Sequence, residues 1–201
     1  KSPIIKQNEA KARVITITSG KGGVGKTNFT VNLALALTGL GQRVLIVDAD
    51  IGTANVDVVL GCSATYSLFN IIEDGLSITD IITEGPGGIK FMSGGSGITR
   101  IADLNPAQLK NIVSQITLLD YWADIILIDT GAGINRNVLN FVMAADEIII
   151  ITTPEPTAIT DAYAMMKAYV GYRGTAPLNL VVNRILDIDE GQLAVDKLAK
   201  V

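Results

Sequence analysis

The residue types that could do chemistry gather first in Ser19-Gly20-Lys21-Gly22-Gly23-Val24-Gly25-Lys26-Thr27, which follows an apolar run and precedes a helical pattern. This stretch fulfils G-x-x-x-x-G-K-[ST], with strand, loop and helix in the order that pattern requires. Glycines let backbone N–H groups turn inward around an anion, and the helix adds its positive N-terminal end. Lys26 would then reach the β- and γ-phosphates of a nucleotide, and Thr27 would place its hydroxyl on Mg²⁺. Gly20, Lys21, Gly22, Gly23, Val24, Gly25 and Asn28 complete the expected phosphate cradle.

Carboxylates end two further apolar runs. Val44-Leu45-Ile46-Val47 leads into Asp48-Ala49-Asp50, and Ile125-Ile126-Leu127-Ile128 leads into Asp129-Thr130-Gly131-Ala132-Gly133. An Asp at such a place is ordinarily a turn or cap residue. Beside a phosphate cradle, Asp129 is expected to hold Mg²⁺ through water, and Gly131 and Gly133 allow the backbone after it to move. A third end, Val182-Asn183-Arg184, offers an amide with both a donor and an acceptor. That suits an adenine edge, with Arg184 packing nearby, although a turn Asn is the plain alternative. Glu155 and Asp161 either line an interface or cap a surface helix.

These residues need a scaffold that brings strand ends together. Short β-branched runs occur at Arg13–Thr18, Arg43–Val47, Gly88–Met92, Asp124–Ile128, Glu147–Thr152 and Leu178–Val182. Several are apolar at consecutive positions, as strands covered on both faces are. Helical patterns fit Lys26–Leu40, Pro106–Leu119, Arg136–Met143, Ala158–Tyr169 and Glu190–Lys200, the second opening with Asn105 as N-cap and Pro106 at the first helical position. The expected fold is α/β, a three-layer, mostly parallel twisted sheet with helices on both faces. Ligands of such sheets bind beyond the carboxyl ends of the strands, where all the residues above fall. One domain is expected over 1–201, with 1–11 as leader and 12–201 as core.

Composition narrows the chemistry. The chain has no histidine, which removes His-dependent nucleophile triads and His-based metal sites. Its one cysteine, Cys62, cannot form an internal disulfide and is expected to be a buried, inert thiol. Sixteen Lys and Arg against twenty Asp and Glu give a formal net charge of −4, which argues against a domain that coats nucleic acid. No apolar run reaches the length of a membrane span.

Lys21, a second lysine inside the loop, turns the pattern into K-G-G-V-G-K-T. Here the chain resembles the deviant Walker A family of P-loop NTPases (SIMIBI class) that includes MinD, ParA and FlhG, over about residues 12–195. Thr152–Tyr163, Asp129–Gly133 and Met92–Gly97 look most like the flagellar-number branch, FlhG or YlxH, with MinD next. The resemblance implies ATP and ADP as ligands with Mg²⁺, ATP hydrolysis, and an ATP-dependent homodimer in which Lys21 reaches the phosphates of the other subunit. It assigns Asp50 to orienting the attacking water, Asp48 to the outer shell of Mg²⁺, and the stretch from Ile51 to Asp57 to sensing the γ-phosphate. It also implies an FlhF-like GTPase and flagellar switch-complex proteins as partners. A cytoplasmic protein that settles on the inner face of the cell membrane when ATP-bound follows from the same resemblance. Relatives usually continue past the position of Val201, so a C-terminally shortened chain is expected. A MinD-like division regulator, a ParA-like segregation ATPase and a metabolic ligase of the dethiobiotin-synthetase type are the competing readings.

Overall fold

The computed structural model describes residues 11–51, 53–95, 105–116 and 118–200. Seven strands form one sheet: β1 (Arg13–Ser19), β2 (Val44–Ala49), β3 (Thr83–Glu84), β4 (Lys90–Met92), β5 (Ile125–Ala132), β6 (Glu147–Thr152) and β7 (Leu178–Val182). Their order is β3-β4-β2-β5-β1-β6-β7, and every pairing is parallel except β3 with β4. The expected mostly parallel α/β sheet is therefore present. The helices are α1 (Lys26–Gly39), α2 (Val56–Leu60), α3 (Leu68–Glu73), α4 (Pro106–Ile116), α5 (Arg136–Met143), α6 (Pro156–Gly171) and α7 (Ile188–Ala199).

Consecutive apolar residues place alternate side chains on opposite faces of a strand. Ile46 of β2 and Leu127 of β5 pack with Val31 and Ala34 of α1. Their strand neighbours Leu45, Val47, Ile126 and Ile128 pack on the other face with Leu109 and Ile112 of α4 and Phe141 of α5. A third cluster joins Ile148 and Ile150 of β6 to Ala162, Met165 and Tyr169 of α6. Edge strand β7 departs from this pattern, each of its residues being exposed or half-buried.

Local signals set the helix ends. Asn105 accepts from the amides of Ala107 and Gln108 at 3.0 Å each, and Gln108 Oε1 in turn accepts from the Asn105 amide at 3.0 Å. This reciprocal cap starts α4 at Pro106, as expected from sequence. Helix α7 begins two residues earlier than its periodicity suggests because Asp187 caps it, accepting from Glu190 N at 2.8 Å. Strand β3 and helices α2 and α3 are too short for periodicity to reveal.

Cys62 is half-buried, not buried as expected. Burial and the nearby Asp57 charge push its thiol pKa up, the opposite of an activated thiolate. Among the described residues, no helix is long and apolar enough to cross a membrane.

Candidate nucleotide site

The register of the central strands assembles the site. β1 lies between β5 and β6, and its pairing with β5 shifts between Ile17 and Ser19, where the glycine loop departs. Asp48 pairs directly with Asp129 across β2 and β5, and Asp129 pairs with Ile17 across β5 and β1. Both acids thus stand at the carboxyl end of the sheet, next to the loop.

An open cleft of about 400 Å³ lies over this end. Gly22, Gly23, Gly25, Lys26, Thr27 and Asn28 form one wall, while Asp50, Asn55, Ala132 and Arg184 reach it from other segments. Six other expected site residues, Gly20, Lys21, Val24, Asp48, Asp129 and Asn183, do not line it. Asn183 donates from Nδ2 to Val24 O at 2.8 Å and accepts the Arg184 amide on Oδ1 at 2.9 Å. One amide proton and one lone pair remain for a base, and the side chain also braces the loop. Gly20 sits against α6 so closely that a Cβ would lie 2.1 Å from Asp161 O. Gly25, at φ +100°, would push a Cβ to 2.5 Å from Asn183 Nδ2. At these two places only glycine fits.

Lys21 points to its own chain's α6. Its Nζ is 2.6 Å from Glu155 Oε2 and 2.8 Å from Thr157 Oγ1. The ammonium in turn holds Glu155 below the usual carboxylate range. Thr157 carries no motif that singles it out, and Glu155, an interface or cap residue by sequence, here ends an ion pair within the chain.

Beneath the cleft, Asp129 is 1 % exposed and takes hydrogen bonds from the hydroxyls of Thr27 and Thr30, the latter at 3.2 Å. Burial raises its pKa to about 6, against the lowering influence of Thr27, Lys26 and Thr30. Asp48, also 1 % exposed, is pushed up to about 7 by burial, with Asp129 adding to the rise. Its oxygens accept three backbone amides, Asp50 at 3.1 Å, Asn55 at 2.8 Å and Val56 at 2.9 Å. Asp48 therefore ties down the segment that carries Asp50. Asp50 itself accepts from Thr53 Oγ1 at 2.7 Å, and Gly131 lies close enough that a Cβ would stand 2.9 Å from Asp50 Oδ1.

The arrangement fits a magnesium nucleotide on its own chemistry. Two buried acids side by side, with Lys26 near one of them, leave negative charge that a divalent cation would relieve. No group of three or more Asp, Glu, His or Cys ligands exists among the described residues, so most ligands would come from phosphate and water, as is usual for Mg²⁺. Thr27 and Asp129 are the side chains in contact that would hold it.

Residues 10–180 match the family profile described as "ParA: NUBPL iron-transfer P-loop NTPase". The chain belongs to the ParA/MinD family of P-loop NTPases. This NTPase is 41 % identical over 189 residues to antiactivator FleN of Pseudomonas aeruginosa, a match covering 94 % of it and 68 % of FleN. It is 37 % identical over 198 residues to the flagellum site-determining protein YlxH of Helicobacter pylori, covering 96 % and 65 %. Among solved structures, the Pyrococcus furiosus cell division ATPase MinD superposes with a TM-score of 0.80 at 30 % identity, covering 94 % of this NTPase and 80 % of MinD. Pyrococcus horikoshii MinD, solved with Mg-ADP, gives 0.79 at 29 % identity, covering 92 % and 76 %. The chain thus spans about two thirds of the length of FleN and of YlxH.

Proposed function

We propose that the protein is an ATP-driven dimerising switch of the FlhG kind, which hydrolyses ATP to ADP and phosphate with Mg²⁺ and helps set flagellar number and placement. The observation that carries the switch is the position of Lys21. It leaves its own cleft to Lys26 and sits at the rim, on a surface ion pair that a second copy can disrupt. The flagellar assignment leans on the identities with FleN and YlxH.

In this reading the loop amides and Lys26 bind the phosphates, while Thr27 and Asp129 hold Mg²⁺. When bound, Mg²⁺ would neutralise charge on the phosphate oxygens. Asp50 orients water toward the γ-phosphate, held by Asp48 through the backbone. Lys21 leaves Glu155 and Thr157 to stabilise charge on the nucleotide of the second copy, as an arginine finger does. Asn183 and Arg184 lie on the side of the cleft proposed for the base. An FlhF-like GTPase, flagellar switch-complex proteins and the inner face of the cell membrane are the proposed partners; nucleic acid is not among them.

A MinD-like role in choosing the division site is the second reading, favoured by the 0.80 and 0.79 TM-scores to the two archaeal MinD structures. Aquifex MinD has been solved in a complex with MinC, so a MinC-like partner belongs to this alternative. Plasmid partition proteins at 21 % and 19 % identity share the fold alone.

The test is phosphate release from ATP by wild type and Asp50→Ala, with ADP binding measured in parallel. Asp50→Ala is expected to bind ADP within a fewfold of wild type while kcat falls roughly 100-fold or more. Full activity in Asp50→Ala would overturn its assignment. Release of phosphate only when a second metabolite is added would favour a ligase.

A further inference from the structure

The segment leaving β4 packs against the backbone that carries Asp50. β4 pairs in parallel with β2, Met92 opposite Val47, so the chain emerges directly beside Asp48. Gly94 is pressed there against the backbone of the Asp50 segment. A Cβ on it would lie 2.6 Å from Asp48 O, 3.3 Å from Asp50 O and 3.4 Å from Ile51 Cα. All three atoms are main chain, so no side-chain rotation can make room.

Two neighbours fix Gly94 in place. Ser93 is 4 % exposed, takes the Leu68 amide on its carbonyl at 2.9 Å and the Gly95 amide on Oγ at 3.1 Å. Gly95, at φ +81°, accepts the Ala54 amide at 3.4 Å and leaves 3.1 Å between a built Cβ and Ser67 Oγ. Ser67 and Ser93 also form a β-bridge. The Asp50 segment is thus held from one side by the Asp48 carboxyl and from the other by a strap anchored on the start of α3.

We propose that Ser93-Gly94-Gly95 is the seat of the Asp50 segment, and that Gly94 is a positioning residue for hydrolysis, setting through backbone contact where the Asp50 carboxylate stands. This rests on the assignment of Asp50 to water activation. The contact reaches no nucleotide-binding atom of the glycine loop, so binding and turnover separate when it is disturbed. Displacing a catalytic group by about 1 Å is enough to cost on the order of 100-fold in rate.

The experiment compares the 201-residue wild type with Gly94→Ala, and uses Gly171→Ala, whose built Cβ meets nothing within 4 Å, as the glycine control. Three quantities are read: kcat and KM for ATP, affinity for fluorescent ADP, and amide hydrogen exchange at Asn55 and Val56 relative to β5. Gly94→Ala is expected to lower kcat roughly 10- to 100-fold, to keep ADP affinity within about threefold, and to speed exchange at Asn55 and Val56 while β5 stays protected. Gly171→Ala should match wild type throughout. An unchanged kcat overturns the proposal, and so does a loss of ADP affinity and β5 protection in step with kcat, which marks a merely structural glycine. If Asp50→Ala itself retains turnover, the water-activation reading fails, while exchange at Asn55 and Val56 still decides whether Gly94 seats the segment.

Discussion

Asp48 and Asp129 are each 1 % exposed, with carboxyls pushed up to about 7 and about 6, whereas Lys21 and Glu155 leave 36 % and 59 % of their side chains in solvent. The two regions lie at the same end of one sheet. The interior acids are locked by strand register and by bonds from Thr30 and three backbone amides, so their charge stays where the fold puts it. Such an arrangement costs stability in the empty protein and is retained where a cation must bind. The surface pair is the opposite case. Exposed ion pairs are screened and contribute little, so breaking this one asks little of a partner that offers Lys21 phosphate charge. Fixed charge serves the chemistry, and a weak, breakable pair serves the switch.

Asp129→Asn probes the interior side hardest. It keeps the Oδ1 acceptor for Thr30 but removes the buried charge. It is expected to raise the unfolding midpoint of the nucleotide-free protein near neutral pH while lowering Mg²⁺-dependent kcat roughly 100-fold or more. A less stable yet active variant would break the contrast.

A pH series without nucleotide or metal gives a smaller effect with a definite sign. An unfolded chain releases the protons of both acids near the ordinary 3.8, while the folded chain holds them up to about 7 and about 6. The folded state therefore binds more protons between those values, and stability falls as pH rises through that window. The melting midpoint should be a few degrees higher near pH 5 than near pH 7.5, and saturating Mg-ADP should flatten the difference. Carboxylates held low, Asp124 by Arg43 and Glu155 by Lys21, act in the opposite sense only at more acid pH. A midpoint that falls on acidification from about 7.5 to 5 would contradict the buried-acid account.

Glu155→Ala tests the surface side and should move stability least. Its melting midpoint is expected within about 2 °C of wild type, as for most surface substitutions, while dimers form at lower ATP concentration because Lys21 is no longer held. A large loss of stability, or no change in the ATP dependence of assembly, would show that the pair is not the catch.

Sequence carried the parts of this picture that depend on local pattern. The glycine loop, the apolar strands ending in Asp48, Asp50 and Asp129, and the Asn105 cap all depend on spacing along a single stretch of chain. What it hid depends on contacts between distant stretches. Asp48 reads as a strand-end acid, but its three amide partners follow from how the chain folds back after Asp50. Lys21 and Glu155 are 134 positions apart, and no local signal pairs them. Gly94 reads in sequence only as part of a stretch that carries the family resemblance, and only the register of β4 on β2 shows that its missing side chain matters.

The central claim is that ATP assembles two copies by drawing Lys21 away from Glu155. Light scattering coupled to size-exclusion chromatography tests it most directly, with Asp50→Ala used so that ATP persists. The account predicts a monomer with ADP, a doubled mass with ATP, and a monomer in both nucleotides once Lys21→Ala is added. A monomer with ATP, or a dimer that forms without Lys21, would contradict it.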